Sequence, residues 1–377
     1  MNETDYNLLN DYLNDVFCFL SINEPFLINN IRNIMSFNSF FRTHINFKKI
    51  ENKTTQNNLT IFDVYNIIYN AIKYLNKEYL DKYDKLIDSG IFDFGLPLPS
   101  LNNDEVNKEE YYKKETEREN RDLYDALKRS MFSLNKFCAI ELARNYNYED
   151  CVQLMHEFIH YTNEEKNCSV NKIVLSEYFS IYFELLIQDC LIEENVDISE
   201  VDVFSRHNSL INISNNFTAY ELIFSAYKNF GYIKEDTYKD INEYLNIKVS
   251  KEQFEKECLN LLKFLNKVKT NYDKNNIYDK EEYRKYISAP FIDDYKYFFG
   301  TILAIYSLEN SEVQDVIWLN DHINTEYVSN MNFTDILRMV NIDFRDNNIF
   351  ENLIKSYNNY FDRLLEIKNQ KKKIYTK

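Results

Sequence analysis

The sequence predicts a mainly α protein, and three observations carry that prediction. First, the 377 residues include only 4 Gly and 4 Pro, where average usage gives about 25 and about 19. Folds made of many tight turns need those residues, so propellers, turn-rich sandwiches, collagen and Gly-rich phosphate loops are disfavoured. Second, 45% of residues are apolar and 28% charged, a globular composition rather than a disordered one. Third, apolar residues recur at helical spacing through most of the chain. Tyr (31) and Phe (28) are abundant, and they accompany a surplus of Asn, Ile and Lys that looks like AT-biased coding rather than function.

In chain order, residues 1–90 read as helices. Ile61 to Leu86 illustrates the spacing, with Ile61, Val64, Ile67, Ile68, Ile72, Leu75 and Leu80 near a period of 3.6. Ser89 to Pro99 holds two of the four Gly and two of the four Pro, which predicts a break. Residues 102–122 are charge-dense and read as a solvated helix or loop. Leu134 to Ala143 (LNKFCAIELA) is the best strand candidate. Asn147 can then cap a helix with Glu149 and Asp150 in its first turn. From about 170 to 370 the pattern is again helical. Tyr297 to Leu308 is the longest apolar run, too short to span a bilayer, and reads as a buried helix. The basic tail Lys368 to Lys377 reads as a helix end with cations near the negative pole of the dipole.

Charge narrows the function. Lys and Arg total 44 against 60 Asp and Glu, a net charge of −16. That field repels phosphate backbones, so nucleic-acid binding is not expected. The six cysteines, Cys18, Cys138, Cys151, Cys168, Cys190 and Cys258, form no C-x-x-C pair and read as free thiols of a reducing compartment. The first residues, MNETDYN, have no basic region followed by an apolar one. The expectation is a cytoplasmic protein with no membrane partner; its oligomeric state is open.

Chemistry concentrates at His-Glu-Phe-Ile-His, residues 156–160. Positions i and i+4 project from one helix face, so both imidazoles can reach one ion, and Glu157 lies beside that face where it can hold a water. This is the H-E-x-x-H pattern of zinc metallopeptidases. Two of only five histidines stand at this spacing. The bland alternative is two core histidines on an amphipathic helix anchored by Val152, Leu154, Met155, Phe158 and Ile159. His44, His207 and His322 are isolated and read as surface or satisfied core residues.

Two histidines bind zinc weakly, so a third ligand is needed. Leu175 to Cys190 (LSEYFSIYFELLIQDC) reads as an apolar, aromatic helix carrying Glu177 and Glu184. Seven residues return to within about 20° of the same face, which puts both carboxylates on one stripe. Buried carboxylates are costly unless paired or ligated. One reading makes Glu177 the third ligand and Glu184 the acceptor of a ligand imidazole N–H. The other places both at a solvated edge.

With these residues in place, the chain resembles the oligoendopeptidase F branch of the thimet oligopeptidase family of zinc metallopeptidases. The run Cys138 to His160 resembles the family's strand followed by its H-E-x-G-H helix. Ser176 to Glu184 (SEYFSIYFE) matches the third-ligand segment in register. Tyr295 to Gly300 (YKYFFG) resembles the family's Y-x-Y-A-T-G, and Asn332 to Phe344 (NFTDILRMVNIDF) a later segment. Ile91 to Pro97 is loosely similar to a Y-D-L-Y-x-P-L stretch. The matches are collinear from about residue 60 to about 365. The chain departs from the pattern at Ile159, where the family has glycine, and at Ile287, where it has a histidine. Its loop between first and third ligands is shorter, and its counterpart of the Gly-rich substrate loop is a charged stretch.

The resemblance implies a helical zincin-type metallopeptidase fold with a small β-sheet next to the active-site helix. It implies an N-terminal helical segment at 1–100 and a catalytic region at 101–377, with most of the family's N-terminal lobe missing. It implies one Zn2+ per chain on His156, His160 and Glu177, with Glu157 as general base and Tyr295 or Tyr297 as donor to the oxyanion. The implied function is a zinc metalloendopeptidase cleaving short peptides. The alternative is a degenerate relative that binds metal or peptide, or acts as a scaffold.

Overall fold

The computed structural model describes residues 1–45, 48–51, 59, 61–75, 77–88, 147–164, 173–273, 279–323 and 325–375. The helices among them are α1 (Glu3–Asn23), α2 (Pro25–Asn29), α3 (Ile31–His44), α4 (Ile61–Leu75), α5 (Lys77–Asp88), α6 (Tyr148–Glu164), α7 (Ile173–Glu193) and α8 (Ser205–Phe230). They continue with α9 (Thr237–Leu245), α10 (Lys251–Asp273), α11 (Lys280–Asn310), α12 (Val313–His322), α13 (Glu326–Ser329), α14 (Phe333–Arg338) and α15 (Ile349–Tyr375). The protein is mainly α, and the described residues contain no β-strand element. The strand expected at Leu134–Ala143, the break at Ser89–Pro99, the charged stretch 102–122 and the division at residue 100 all lie outside the described residues. The helical stretch read at Ile61–Leu86 forms two helices, α4 and α5. No helix among the described residues is long and apolar enough to cross a membrane.

The chain forms two compact units, each made of two stretches. The first comprises Met1–Lys49 and Asn208–Phe299, the second Ile50–His207 and Gly300–Lys377. In the first unit, Asn2 and Asp5 close a capping box at the start of α1. The helix then buries Leu9, Tyr12, Leu13, Val16, Phe17 and Leu20, the spacing of a core-facing stripe. Polar ties hold it across the sequence: Tyr12 donates to Asn266 at 2.7 Å, and Arg284 donates to Asp15 at 2.8 Å.

In the second unit, α6 and α7 are the principal packed pair. The start of α6 follows from its first residues: Asn147 Oδ1 accepts from the Asp150 N–H at 2.9 Å, and Asp150 returns the bond to the Asn147 N–H at 2.7 Å. α7 is buried on nearly every side, as an all-round apolar helix must be. α4 and α5 cover α6, where the Tyr79 and Tyr83 rings meet Phe158 edge-on. The residues of α11 that belong to this unit pack against α7. Tyr178 shares a hydrogen bond of 2.9 Å with Ser307, and Gly300 lies over the α7 backbone. A Cβ at Gly300 would stand 3.2 Å from Glu177 Cβ and 3.2 Å from the Tyr178 nitrogen, tighter than ordinary contact. An apolar cavity of about 310 Å³ also borders α6 and α7, lined by Ala71, Leu75, Met155, Phe183 and Ile187 among others.

Candidate metal centre

The α6–α7 pair brings together the residues singled out by helical spacing. His156 and His160 stand one turn apart on α6, and their Nε2 atoms are 3.1 Å from each other. Glu177 approaches from α7, its Oε2 3.6 Å from His156 Nε2 and 3.7 Å from His160 Nε2. A tetrahedral ion with ligands at about 2.0–2.1 Å spaces its donors roughly 3.3–3.4 Å apart. A circle through the three donor atoms has a radius of about 2.0 Å, so one point lies at metal–ligand distance from all of them. His156, His160 and Glu177 could hold a metal ion.

The donor chemistry fits a cation. Glu184 Oε2 lies 3.0 Å from His156 Nδ1. An ionised carboxylate only accepts, so that nitrogen carries the proton and Nε2 presents its lone pair. His160 Nδ1 is 3.0 Å from Ser176 Oγ, a hydroxyl that can serve either ring tautomer. Two imidazole nitrogens and a carboxylate oxygen at these separations are donor types and spacings that suit one cation.

Electrostatics support the neutral imidazole. Burial pushes the His156 pKa below its ordinary value, and the neighbouring His160 adds to that, against the pull of Glu184. Glu184 goes the other way. Burial alone would raise its pKa, but Arg206 and His156 outweigh the burial and hold it at about 2. Glu177 and Glu184 are each 4% exposed, so neither sits at a solvated edge. Glu157 is also buried on α6.

Two contributors escaped the sequence reading. Arg206, in the first turn of α8, donates from Nε to Glu184 Oε1 at 2.7 Å and from Nη2 to Oε2. Ser176 orients His160. Neither carries a periodic signal that links it to the motif; Ser176 had only its place beside Glu177 to point to it. The family-derived tyrosines belong to the first unit. There Tyr295 is 1% exposed, its ring 5.3 Å from that of Phe299, and burial raises its hydroxyl pKa well above the usual value. Tyr297 is half-buried, with Lys296 Nζ 4.8 Å from its ring centre. His207 is a satisfied core residue, its Nδ1 2.7 Å from the Tyr357 hydroxyl. Comparison of the chain with protein-family models, with curated proteins and with solved structures finds no match.

Proposed function

We propose that the chain is a zinc-dependent metallopeptidase that hydrolyses short peptides, of the kind its sequence resembles, with a helical zincin-type fold. The observation that supports this reading most is the convergence of His156, His160 and Glu177 around one point, beside Glu157 on the same helix. His156, His160 and Glu177 would hold the zinc. When bound, zinc polarises the scissile carbonyl and brings the pKa of a water near 7. Glu157 accepts the proton of the attacking water and passes it to the leaving amine. Glu184 keeps His156 in the tautomer that presents Nε2, and Ser176 holds the His160 ring at its Nδ1. Tyr295 and Tyr297 are candidates for holding the oxyanion on the resemblance alone.

A second reading is a metal-binding relative without turnover. Ile287, which stands where the family carries a histidine, supports it: the position is wholly buried in apolar form. One experiment separates the two. The purified protein is analysed for zinc and given an internally quenched peptide of about 8–12 residues, with and without a chelator. The proposal expects bound zinc, chelator-sensitive cleavage, and loss of cleavage in Glu157→Gln with zinc retained. Zinc without cleavage leaves the second reading. Cleavage that survives in Glu157→Gln rejects the assigned base.

A further inference from the structure

The structure assigns Arg206 as a positioning residue of the candidate metal centre: its guanidinium fork fixes the Glu184 carboxylate and, through it, the tautomer and aim of His156. This inference rests on reading His156, His160 and Glu177 as a metal site.

The geometry is that of a planar fork on a planar acceptor. Arg206 Nε reaches Oε1 at 2.7 Å while Nη2 reaches Oε2, so both carboxylate oxygens are held by one rigid group. Oε2 also receives the His156 Nδ1–H at 3.0 Å. Arg206 Nη2 itself lies 3.4 Å from His156 Nδ1. Two donors therefore converge on one oxygen, and only an ionised carboxylate in this orientation serves both.

Each partner comes from a different helix. His156 stands on α6, Glu184 on α7 and Arg206 at the start of α8. Glu184 alone can rotate about its terminal torsion, which is broad for this side chain. With the fork in place, that rotation is closed, and Nε2 of His156 is left as its lone-pair nitrogen, aimed at Glu177 and His160. The side chain of Arg206 is 20% exposed and that of Glu184 6%, so the clamp is largely shielded from competing water. A lysine would bring the charge but not the two parallel donors.

The test uses the full chain with Arg206→Gln and Arg206→Lys. Two readouts are taken: zinc affinity by competition with a chromophoric chelator, and the His156 tautomer in metal-free protein by long-range 15N–1H correlation. The His156 signal is assigned by its loss in His156→Asn. Wild type is expected to show the Nδ1–H tautomer. Arg206→Gln is expected to mix tautomers and to weaken zinc binding about 10- to 100-fold, with helix content retained. Arg206→Lys is expected to fall short of rescue, and it stands in for the glutamine variant if that one does not fold. A wild type that binds zinc, with variants that keep both the tautomer and the affinity within twofold, overturns the inference alone. Full rescue by lysine overturns the fork in favour of simple charge. A wild type that binds no zinc overturns the metal reading and this role with it.

Discussion

Glu184 in the second unit and Glu24 in the first are withdrawn from water to nearly the same degree, at 4% and 3% exposure. Their chemistry is opposite. Glu184 meets Arg206 and His156 and stays ionised, its pKa held at about 2 against burial. Glu24 sits between α1 and α2, where burial pushes its pKa up to about 8 and Oε1 finds no hydrogen-bond partner among the described residues. Depth alone therefore does not set the charge state of a carboxylate; the partners do. A buried acid with a forked cation and an imidazole stays charged at little cost to the fold, whereas ionising a buried acid without them is costly.

The largest expected effect breaks the partnered side of this contrast. Glu184→Gln leaves Arg206 facing a neutral amide and should destabilise the second unit by about 2–4 kcal/mol, measured by urea unfolding. An unchanged midpoint would show that the pair is held in water rather than in the protein. Next comes the packing that brings Glu177 to the site. Gly300→Ala drives a methyl against Glu177 Cβ and the Tyr178 nitrogen, each at 3.2 Å. The cost should be about 1–3 kcal/mol, since overpacking against backbone has little slack, and zinc affinity should fall with it. Wild-type stability and affinity in that variant would mean that α11 does not set the position of Glu177.

The unpartnered side should respond with the opposite sign. Glu24 has a folded pKa of about 8, raised from 4.5. Stability tied to its protonated form is fully present below pH 4.5 and is lost as pH rises towards 8. Glu24→Gln should therefore stabilise the protein, by about 1–3 kcal/mol at pH 8, and flatten the fall in stability between pH 5 and 8. A variant whose stability falls with pH as steeply as wild type would show that Glu24 does not set that slope. The smallest effect is expected at Ser180, on the α7 stripe between Glu177 and Glu184. Its Oγ is buried without a hydrogen-bond partner among the described residues. Ser180→Ala should thus shift stability by less than about 1 kcal/mol in either direction. A larger loss would point to a water or ligand that the hydroxyl serves.

The sequence carried the candidate ligands as far as their spacing is local. A four-residue step places His156 and His160 on one face, and a seven-residue step does the same for Glu177 and Glu184. Asn147 and Asp150 likewise announced the start of α6, and their reciprocal bonds are formed. In a chain with only 4 Gly, Gly300 stands where the close approach of α11 to α7 leaves little room for a side chain. What the sequence concealed is non-local. Arg206 reaches Glu184 from another helix, with no period connecting the two. The two units each join stretches far apart in the chain, tied by bonds such as Arg284 to Asp15 in the first and Arg363 to Asp189 in the second. No local pattern encodes such pairings.

Whether His156, His160 and Glu177 hold one ion is open to a direct spectroscopic test. X-ray absorption at the zinc edge, on protein loaded with one equivalent of zinc, tests it most directly. A shared centre gives a nitrogen–oxygen shell at about 2.0–2.1 Å with the outer-shell signature of two imidazoles, and that signature is lost in His156→Ala. Zinc that does not bind, or a spectrum that His156→Ala leaves unchanged, would contradict it.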